Sequence, residues 1–320
     1  MRAAVYRRYG PPEVVQIENV GKPVPKDNEI LVRVCATTVC TADWRFRKAD
    51  PFPIRLMNGF WRPSKTTILG MELAGTIESV GKSATRFAVG DAIFGLTGFD
   101  MGAHAEYVCL PENAVMARKP DNLGLDESAA ILFGGVTALH FLKGRIQPGQ
   151  KVLVYGASGS VGTCAVQLAK HSGAQVTGVC STANLELVKS LGADEVVDYT
   201  RKDFAVAGRV YDMVFDAVGK SGFRRSMKCL KRGGCYIQAG FAPSWNVGAA
   251  LSSLTGAAKM VSGVAKPTAE DAVFLRDLVE AGKFRPVIDR RYSLDQIVEA
   301  HRYAEAGHKR GNVLVVVSSK

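Results

Sequence analysis

At 320 residues, with 47% hydrophobic and 22% charged side chains, the chain is long enough for two cores and too apolar to be disordered. Its seven cysteines are odd in number and form no C-x-x-C pair, which excludes a disulfide framework and a cysteine-rich zinc ribbon and points to a reducing, cytoplasmic setting. A formal net charge of +11 admits a nucleic-acid surface, but Lys and Arg are scattered in doublets such as Arg7-Arg8, Arg224-Arg225 and Arg290-Arg291, so a basic enzyme with an anionic cofactor is the expectation, without a nucleic-acid partner.

Residues 1–120 read mostly as strand and turn. Glu29–Ala36, Ala74–Val80 and Asp91–Phe94 are rich in strand formers, with Gly81-Lys82 and Gly90-Asp91 as punctuation. Residues 50–63 read as a long, Pro-interrupted loop carrying Phe52, Ile54, Leu56, Met57, Phe60 and Trp61. Such a loop is expected either to wall an apolar substrate pocket or to pack on the surface or a partner subunit. The stretch 241–259, with Trp245, is a candidate second wall.

Near residue 121 the texture changes to alternating strands and helices. Lys151–Tyr155, Gln175–Cys180, Glu195–Val197, Val210–Ala217 and Cys235–Ala239 read as strands, and Val161–His171 and Asn184–Leu191 as helices. This rhythm predicts a parallel sheet covered on both faces. After residue 264 come amphipathic helices over Thr268–Ala281 and Ser293–Ala306, the second with a Ser293/Gln296 capping box, and a last strand, Asn312–Val317. The longest apolar runs, such as Val313–Val317, fall far short of a membrane span, and the opening Met1-Arg-Ala-Ala-Val-Tyr-Arg-Arg shows no signal pattern, so no membrane partner is expected.

The strongest chemical signal is Lys151-Val-Leu-Val-Tyr-Gly-Ala-Ser-Gly-Ser-Val-Gly162. A hydrophobic strand ends in a glycine-rich turn (Gly156, Ala157, Ser158, Gly159) that opens a helix at Ser160, Val161 and Gly162. Gly159 lets the backbone approach a pyrophosphate, Gly162 lets helix and strand pack closely, and the helix N-terminus supplies N–H donors. A dinucleotide is therefore expected. The second strand ends Gly178-Val-Cys-Ser-Thr182 without an acid for ribose hydroxyls. Ser181 and Thr182 then favour the 2′-phosphate of NADPH over NADH, although their hydroxyls also suit a helix cap. Lys189, Arg201 and Arg310 are the candidate cations, and the pattern does not choose among them.

At this point the chain resembles the medium-chain dehydrogenase/reductase superfamily, and within it the zinc-free quinone oxidoreductase-like branch. The resemblance rests on Gly10-Pro-Pro-Glu-Val14, Gly70-Met-Glu-Leu-Ala-Gly75, Phe87-Ala-Val-Gly-Asp91, Gly102-Ala-His-Ala-Glu-Tyr-Val108, Ala129-Ala130, Gly135-Val-Thr-Ala138, the cofactor turn and Leu191-Gly-Ala-Asp194. It implies an α/β fold class: a Rossmann doubly wound parallel sheet, residues 122–264, inserted into a GroES-like β-rich substrate domain formed by residues 1–121 and 265–320. It implies a homodimer through the Lys259–Val264 strand, and a cleft with the nicotinamide at the domain junction. It adds Thr137, Tyr199, Ala217, Val218, Gly240, Phe241 and Arg310 as cofactor contacts.

The family's catalytic zinc needs three donors and an open position. Cys40 matches the first. Met71 stands where the second, His, would be, and Phe133 where the third, Cys, would be. Neither side chain replaces imidazole or thiolate, so no metal is expected. Without a Lewis acid, simple alcohol oxidation loses its electrophile, and hydride addition to a quinone or an α,β-unsaturated carbonyl fits better. Cys40, Asp43 and His104 are the catalytic candidates. Cys40 is read either as a pocket thiol or as a small buried hydrophobe, His104 either as a donor near the pocket or as a satisfied strand histidine, and Asp43 rather as fixing the chain after Cys40. Phe52, Met57, Phe60, Trp61 and Phe133 are the substrate-pocket candidates, for a small apolar conjugated carbonyl or quinone. The alternatives are a zinc-type alcohol dehydrogenase and a non-catalytic NADPH- or RNA-binding protein.

Overall fold

The computed structural model describes residues 1–240 and 258–318. In chain order the strands are β1 (Arg2–Tyr6), β2 (Val15–Asn19), β3 (Glu29–Thr38), β4 (Glu72–Val80), β5 (Ala92–Leu96), β6 (Tyr107–Pro111), β7 (Met116–Arg118), β8 (Lys151–Tyr155), β9 (Gln175–Cys180), β10 (Glu195–Asp198), β11 (Tyr211–Asp216), β12 (Leu230–Ala239), β13 (Ala258–Gly263), β14 (Ile288–Ser293) and β15 (Asn312–Val316). The described helices are α1 (Thr41–Lys48), α2 (Pro53–Asn58), α3 (Leu125–Ser128), α4 (Leu132–Leu142), α5 (Ser160–His171), α6 (Leu185–Ser190), α7 (Phe223–Ser226), α8 (Ala269–Glu280) and α9 (Ile297–Glu305). They fall into two compact units, Met1–Phe133 with Thr268–Lys320, and Gly134–Pro267. The first division between these units lies between Phe133 and Gly134, inside α4.

In the first unit the described strands form a mostly antiparallel sheet in the order β14-β15-β3-β4-β5-β7, with β6 also paired to β3. β1 and β2 make a separate hairpin. The ten-residue β3 carries this sheet because Ile30, Val32, Val34 and Ala36 alternate onto one buried face. Ile30, Val32 and Val34 join Leu73, Ile77, Ile93 and Met116 in one core. A second core gathers Tyr6, Phe46, Leu69, Ile297 and Val313. The loop expected at residues 50–63 contains α2, a single helical turn and a half opened by Pro53 in its first turn, where the missing N–H costs nothing. α1 was hidden in sequence for a related reason: only eight residues long, it carries Asp43, Arg45, Arg47 and Lys48 and has no clear apolar stripe.

The second unit is a parallel sheet in the order β10-β9-β8-β11-β12-β13 among the described residues. Numbered from β8, this is 3-2-1-4-5-6, the doubly wound order whose switch point lies between β8 and β11. β8 and β9 match the expected bounds, and α5 begins one residue earlier than expected. β12 is longer than expected because Leu230 still pairs with Tyr211 of β11 and Gly234 with Ala258 of β13, with a register shift between them. The 18-residue stretch Leu125–Leu142 is long and apolar enough for a membrane span, but 67% of it is buried in the fold and α3 and α4 divide it. It is core helix. In the tail, Thr268 and Asp271 cap α8, and Ser293 N–H donates to Gln296 Oε1 (3.0 Å) ahead of α9.

Gly178 in β9 has no room for a side chain: a Cβ there would stand 2.3 Å from Val188 Cγ1 of α6. Gly178→Ala is expected to push α6 off the sheet and cost about 1–3 kcal/mol, read as a lower midpoint in denaturant unfolding with the m-value kept.

Candidate active site

The switch point holds a ligand cradle built from glycine. The chain leaves β8 at Tyr155, and the N–H groups of Gly156 and Ala157 both donate to Val179 O of β9 (3.1 and 3.0 Å). That crossing needs φ of +77° at Gly156. A Cβ on Gly162 would lie 2.0 Å from Gly156 O, so the first turn of α5 sits directly on the turn backbone. Gly159 differs. A Cβ there would meet only Gly156 O, at 3.7 Å. None of the described residues demands glycine at 159, whereas a ligand lying on the backbone does. The opening N–H groups of α5 have no acceptor within their own helix, and the helix dipole favours an anion there.

The surrounding candidates converge on this turn within the second unit. Gly134 of α4 packs on Ser160 O, where a Cβ would come within 2.5 Å, and Thr137 lies one turn further along the same helix face. Val218 covers Gly156, its Cγ1 2.8 Å from where a Cβ would be. Ala217 and Val218 are held in place by Asp216, which the sequence reading missed. Asp216 is fully buried at the end of β11, and its Oδ1 accepts from the N–H groups of Val218 (3.1 Å) and Gly219 (2.8 Å). Its Oδ2 accepts from Ser221 N–H (2.8 Å) and Ser221 O–H (2.6 Å). The available signal was an acid ending an apolar strand just before Ala-Val-Gly.

Asn184 is buried, and its Nδ2 donates to Ser158 Oγ (3.1 Å) and Ser181 Oγ (3.2 Å), tying the turn to the end of β9. Its Oδ1 is buried and has no protein partner among the described residues. Thr182 donates to Asp198 of β10 and lies 3.2 Å from the Thr200 hydroxyl. Neither Ser181 nor Asn184 makes a side-chain helix cap. Tyr199 is half exposed, its ring 6.5 Å from that of Tyr155. Gly240 has φ of +95°, and no described residue lies where a Cβ would be. Phe241 and Trp245 lie outside the described residues.

In the first unit Cys40 ends the chain leaving β3 and is buried. Asp43 Oδ2 accepts from Cys40 N–H (2.7 Å) and its Oδ1 from Gly70 N–H (2.8 Å), so this fully buried carboxyl joins two loops and faces no solvent. Burial, then the neighbouring Asp43 carboxyl, pushes the Cys40 thiol well above its ordinary range. A neutral, enclosed thiol does not act as a thiolate nucleophile. Next to Met71 stands Glu72, unremarked in the sequence reading. It is buried on β4, and Oε1 accepts from the Thr38 hydroxyl (2.5 Å) while Oε2 accepts from Phe133 N–H at the start of α4 (2.7 Å). Burial lifts its carboxyl from 4.5 to about 7, against the pull of those two hydrogen bonds.

His104 is fully buried, with Nε2 3.0 Å from Thr38 O, and its ring stands edge-to-face with that of His301 at 5.4 Å. This enclosed imidazole is a packing element of the first unit. The apolar segment is the reverse. Phe52, Met57, Phe60 and Trp61 lie exposed, with Phe60 edge-on to Phe52 (5.9 Å) and to Trp61 (4.9 Å). Phe133 is half-buried, and Arg310 is exposed with its N–H on Asp289 Oδ2 (2.8 Å).

Zinc does not fit this donor set. The positions of two of the family's three donors hold a thioether and a phenyl ring, and no group of three or more His, Cys, Asp or Glu side chains able to hold a metal occurs among the described residues. A dinucleotide fits its cradle: space at Gly159, contact at Gly162 and an unpartnered buried acceptor on Asn184.

A doubly wound sheet carrying this turn, within a chain whose remaining unit is β-rich, defines a dinucleotide-dependent dehydrogenase or reductase. Comparison with known proteins agrees. Residues 26–121 match the alcohol dehydrogenase GroES-like domain and residues 191–315 the zinc-binding dehydrogenase domain. The chain is 32% identical to 2-methylene-furan-3-one reductase of Solanum lycopersicum, over 98% of the chain and 79% of that protein. It is 30% identical to NADPH-dependent alkenal/one oxidoreductase of Arabidopsis thaliana, again over 98% of the chain and 79% of that protein. The structure of quinone oxidoreductase from Coxiella burnetii superposes with a TM-score of 0.90 at 28% identity, over 99% of each chain. The chain belongs to the medium-chain dehydrogenase/reductase superfamily, in its quinone oxidoreductase-like branch, and is an oxidoreductase.

Two outcomes follow from the geometry. Gly159→Ala is expected to leave the melting temperature unchanged and weaken dinucleotide binding roughly tenfold or more, while Gly162→Ala lowers both; calorimetric titration and thermal unfolding separate the two. For Glu72, a folded pKa above the unfolded one means the folded state binds the proton more tightly. Its contribution therefore favours folding below about pH 4.5, declines as pH rises to about 7, and is flat above, a swing of about 3 kcal/mol. Glu72→Gln, which keeps an acceptor for Phe133 N–H, is expected to flatten stability between pH 5 and 7 in urea titrations, and a variant as steep as the parent would refute the assignment.

Proposed function

We propose that this oxidoreductase is an NADPH-dependent, zinc-independent reductase of quinones or α,β-unsaturated carbonyls. The observation that carries the reading is the pairing of a built dinucleotide cradle at Gly159 with a site strand in which Met71 has replaced a metal-binding imidazole. The relatives named for alkenal, furanone and quinone reduction support the substrate class.

NADPH, when bound, supplies the hydride. The turn from Gly156 to Gly159 and the start of α5 hold the pyrophosphate, and Thr137, Ala217, Val218 and Gly240 line the path beyond it. Phe241, Tyr199 and Arg310 complete the set carried over from the family. Thr182 is committed to Asp198. Ser181 accepts from Asn184 and so retains its own O–H for a 2′-phosphate, with exposed Arg201, 3.7 Å from Asp198, as the nearby cation. On the substrate side Cys40 supplies a neutral lining and Asp43 fixes its loop. Phe52, Met57, Phe60, Trp61 and Phe133 offer apolar surface to a conjugated ring. Charge developing on the carbonyl oxygen must meet N–H or O–H donors, and solvent water gives the proton. All seven cysteines are free, in keeping with a reducing, cytoplasmic setting. The edge position of β13 among the described strands of its sheet supports a homodimer formed by C2 strand pairing.

The test is oxidation of NADPH and NADH by chelator-treated protein with a panel of quinones and enones. Turnover is expected with NADPH at a kcat/KM about tenfold or more above NADH. Activity that appears only on adding zinc, with simple alcohols as substrates, would overturn the proposal.

A further inference from the structure

Five large apolar side chains, Phe52, Leu56, Met57, Phe60 and Trp61, stand on ten residues of chain with exposures from 46% to 85%. Phe52, Phe60 and Trp61 touch edge-to-face, so they form one patch and not scattered exposures. The patch has a basic rim. Arg55 donates through Nη1 to Phe60 O (3.0 Å), and Arg62 and Lys65 are exposed just beyond Trp61. Arg47 is buried and, with Lys48, pairs with Glu305, which leaves Arg45, Arg55, Arg62 and Lys65 against Asp50 between Trp44 and Met71.

We propose that this face docks on the surface of an anionic lipid bilayer. Trp and Phe favour the headgroup boundary, where an apolar body meets a polar edge. Leu56 and Met57 enter the acyl region, and Arg55, Arg62 and Lys65 meet lipid phosphates, the combination that gives interfacial binding without a span. A second copy of the chain would bring two basic rims together, and like charges would oppose that pairing. Interfacial contact needs no spanning segment, only exposed apolar surface beside positive charge. Handing a lipid-dissolved quinone or enone to the enzyme rests on reading this face as substrate surface; the membrane contact does not.

The experiment is co-sedimentation of the full chain with vesicles of phosphatidylcholine alone and of phosphatidylcholine with phosphatidylglycerol, alongside turnover of a water-soluble enone without vesicles. Binding is expected only with phosphatidylglycerol, is expected to fall at about 0.5 M salt as the charges are screened, and is expected to weaken roughly tenfold or more in Phe60→Ser/Trp61→Ser and in Arg62→Gln/Lys65→Gln. Both pairs are exposed, and unchanged circular dichroism checks that they fold. No binding to either vesicle overturns the proposal. So does binding that Phe60→Ser/Trp61→Ser leaves intact, which is the response of any basic protein. A dimer in sedimentation velocity that this pair dissolves assigns the patch to a second copy and also overturns it. Vesicle binding without enone turnover sinks the reductase reading alone.

Discussion

A carboxyl group taken out of water must be met by hydrogen-bond donors, and in this protein three such groups hold the site's loops by capturing backbone N–H groups. Asp216 gathers Val218, Gly219 and Ser221 around itself at the end of β11. Asp43 joins the chain after β3 to Gly70. Glu72 reaches from β4 to the first turn of α4. Loops are otherwise the least determined parts of a fold, because their backbone groups can turn to water at little cost. Here that freedom is removed, since each buried carboxyl would stand unsatisfied if its loop moved, at a cost of about 1–3 kcal/mol or more per lost partner.

The same constraint explains what was legible in the sequence. The strands β8 and β9 and the helix α5 announce themselves by apolar runs and by 3.6-residue periodicity, because burial of one face repeats regularly along the chain. The glycines of the turn could be assigned separate tasks from spacing alone, and the geometry keeps those tasks distinct: a steric one at Gly162 and open space at Gly159. Periodicity carries no information about where an isolated acid finds its partners. Asp216 and Glu72 each look like an ordinary residue at a strand terminus, and their donors come from Ser221, Thr38 and Phe133, up to 61 positions away in sequence. α2 was missed because a six-residue helix opened by proline has too few turns to show a period.

Glu72 shows how a buried acid can serve a mechanical purpose in such a site. It stands beside Met71, with its carboxyl accepting from Phe133 N–H. Through that bond Glu72 fastens β4 to the start of α4. That fastening has an electrostatic consequence. Burial raises the Glu72 carboxyl to about 7 even though two hydrogen bonds and the nearby Lys309 favour its charged form. Near neutral pH the group is divided between its two states, and its protonated form can donate a hydrogen bond that the carboxylate cannot. Burial thus leaves the Glu72 carboxyl closer to neutral than an exposed acid would be, while Thr38 and Phe133 N–H keep it in place.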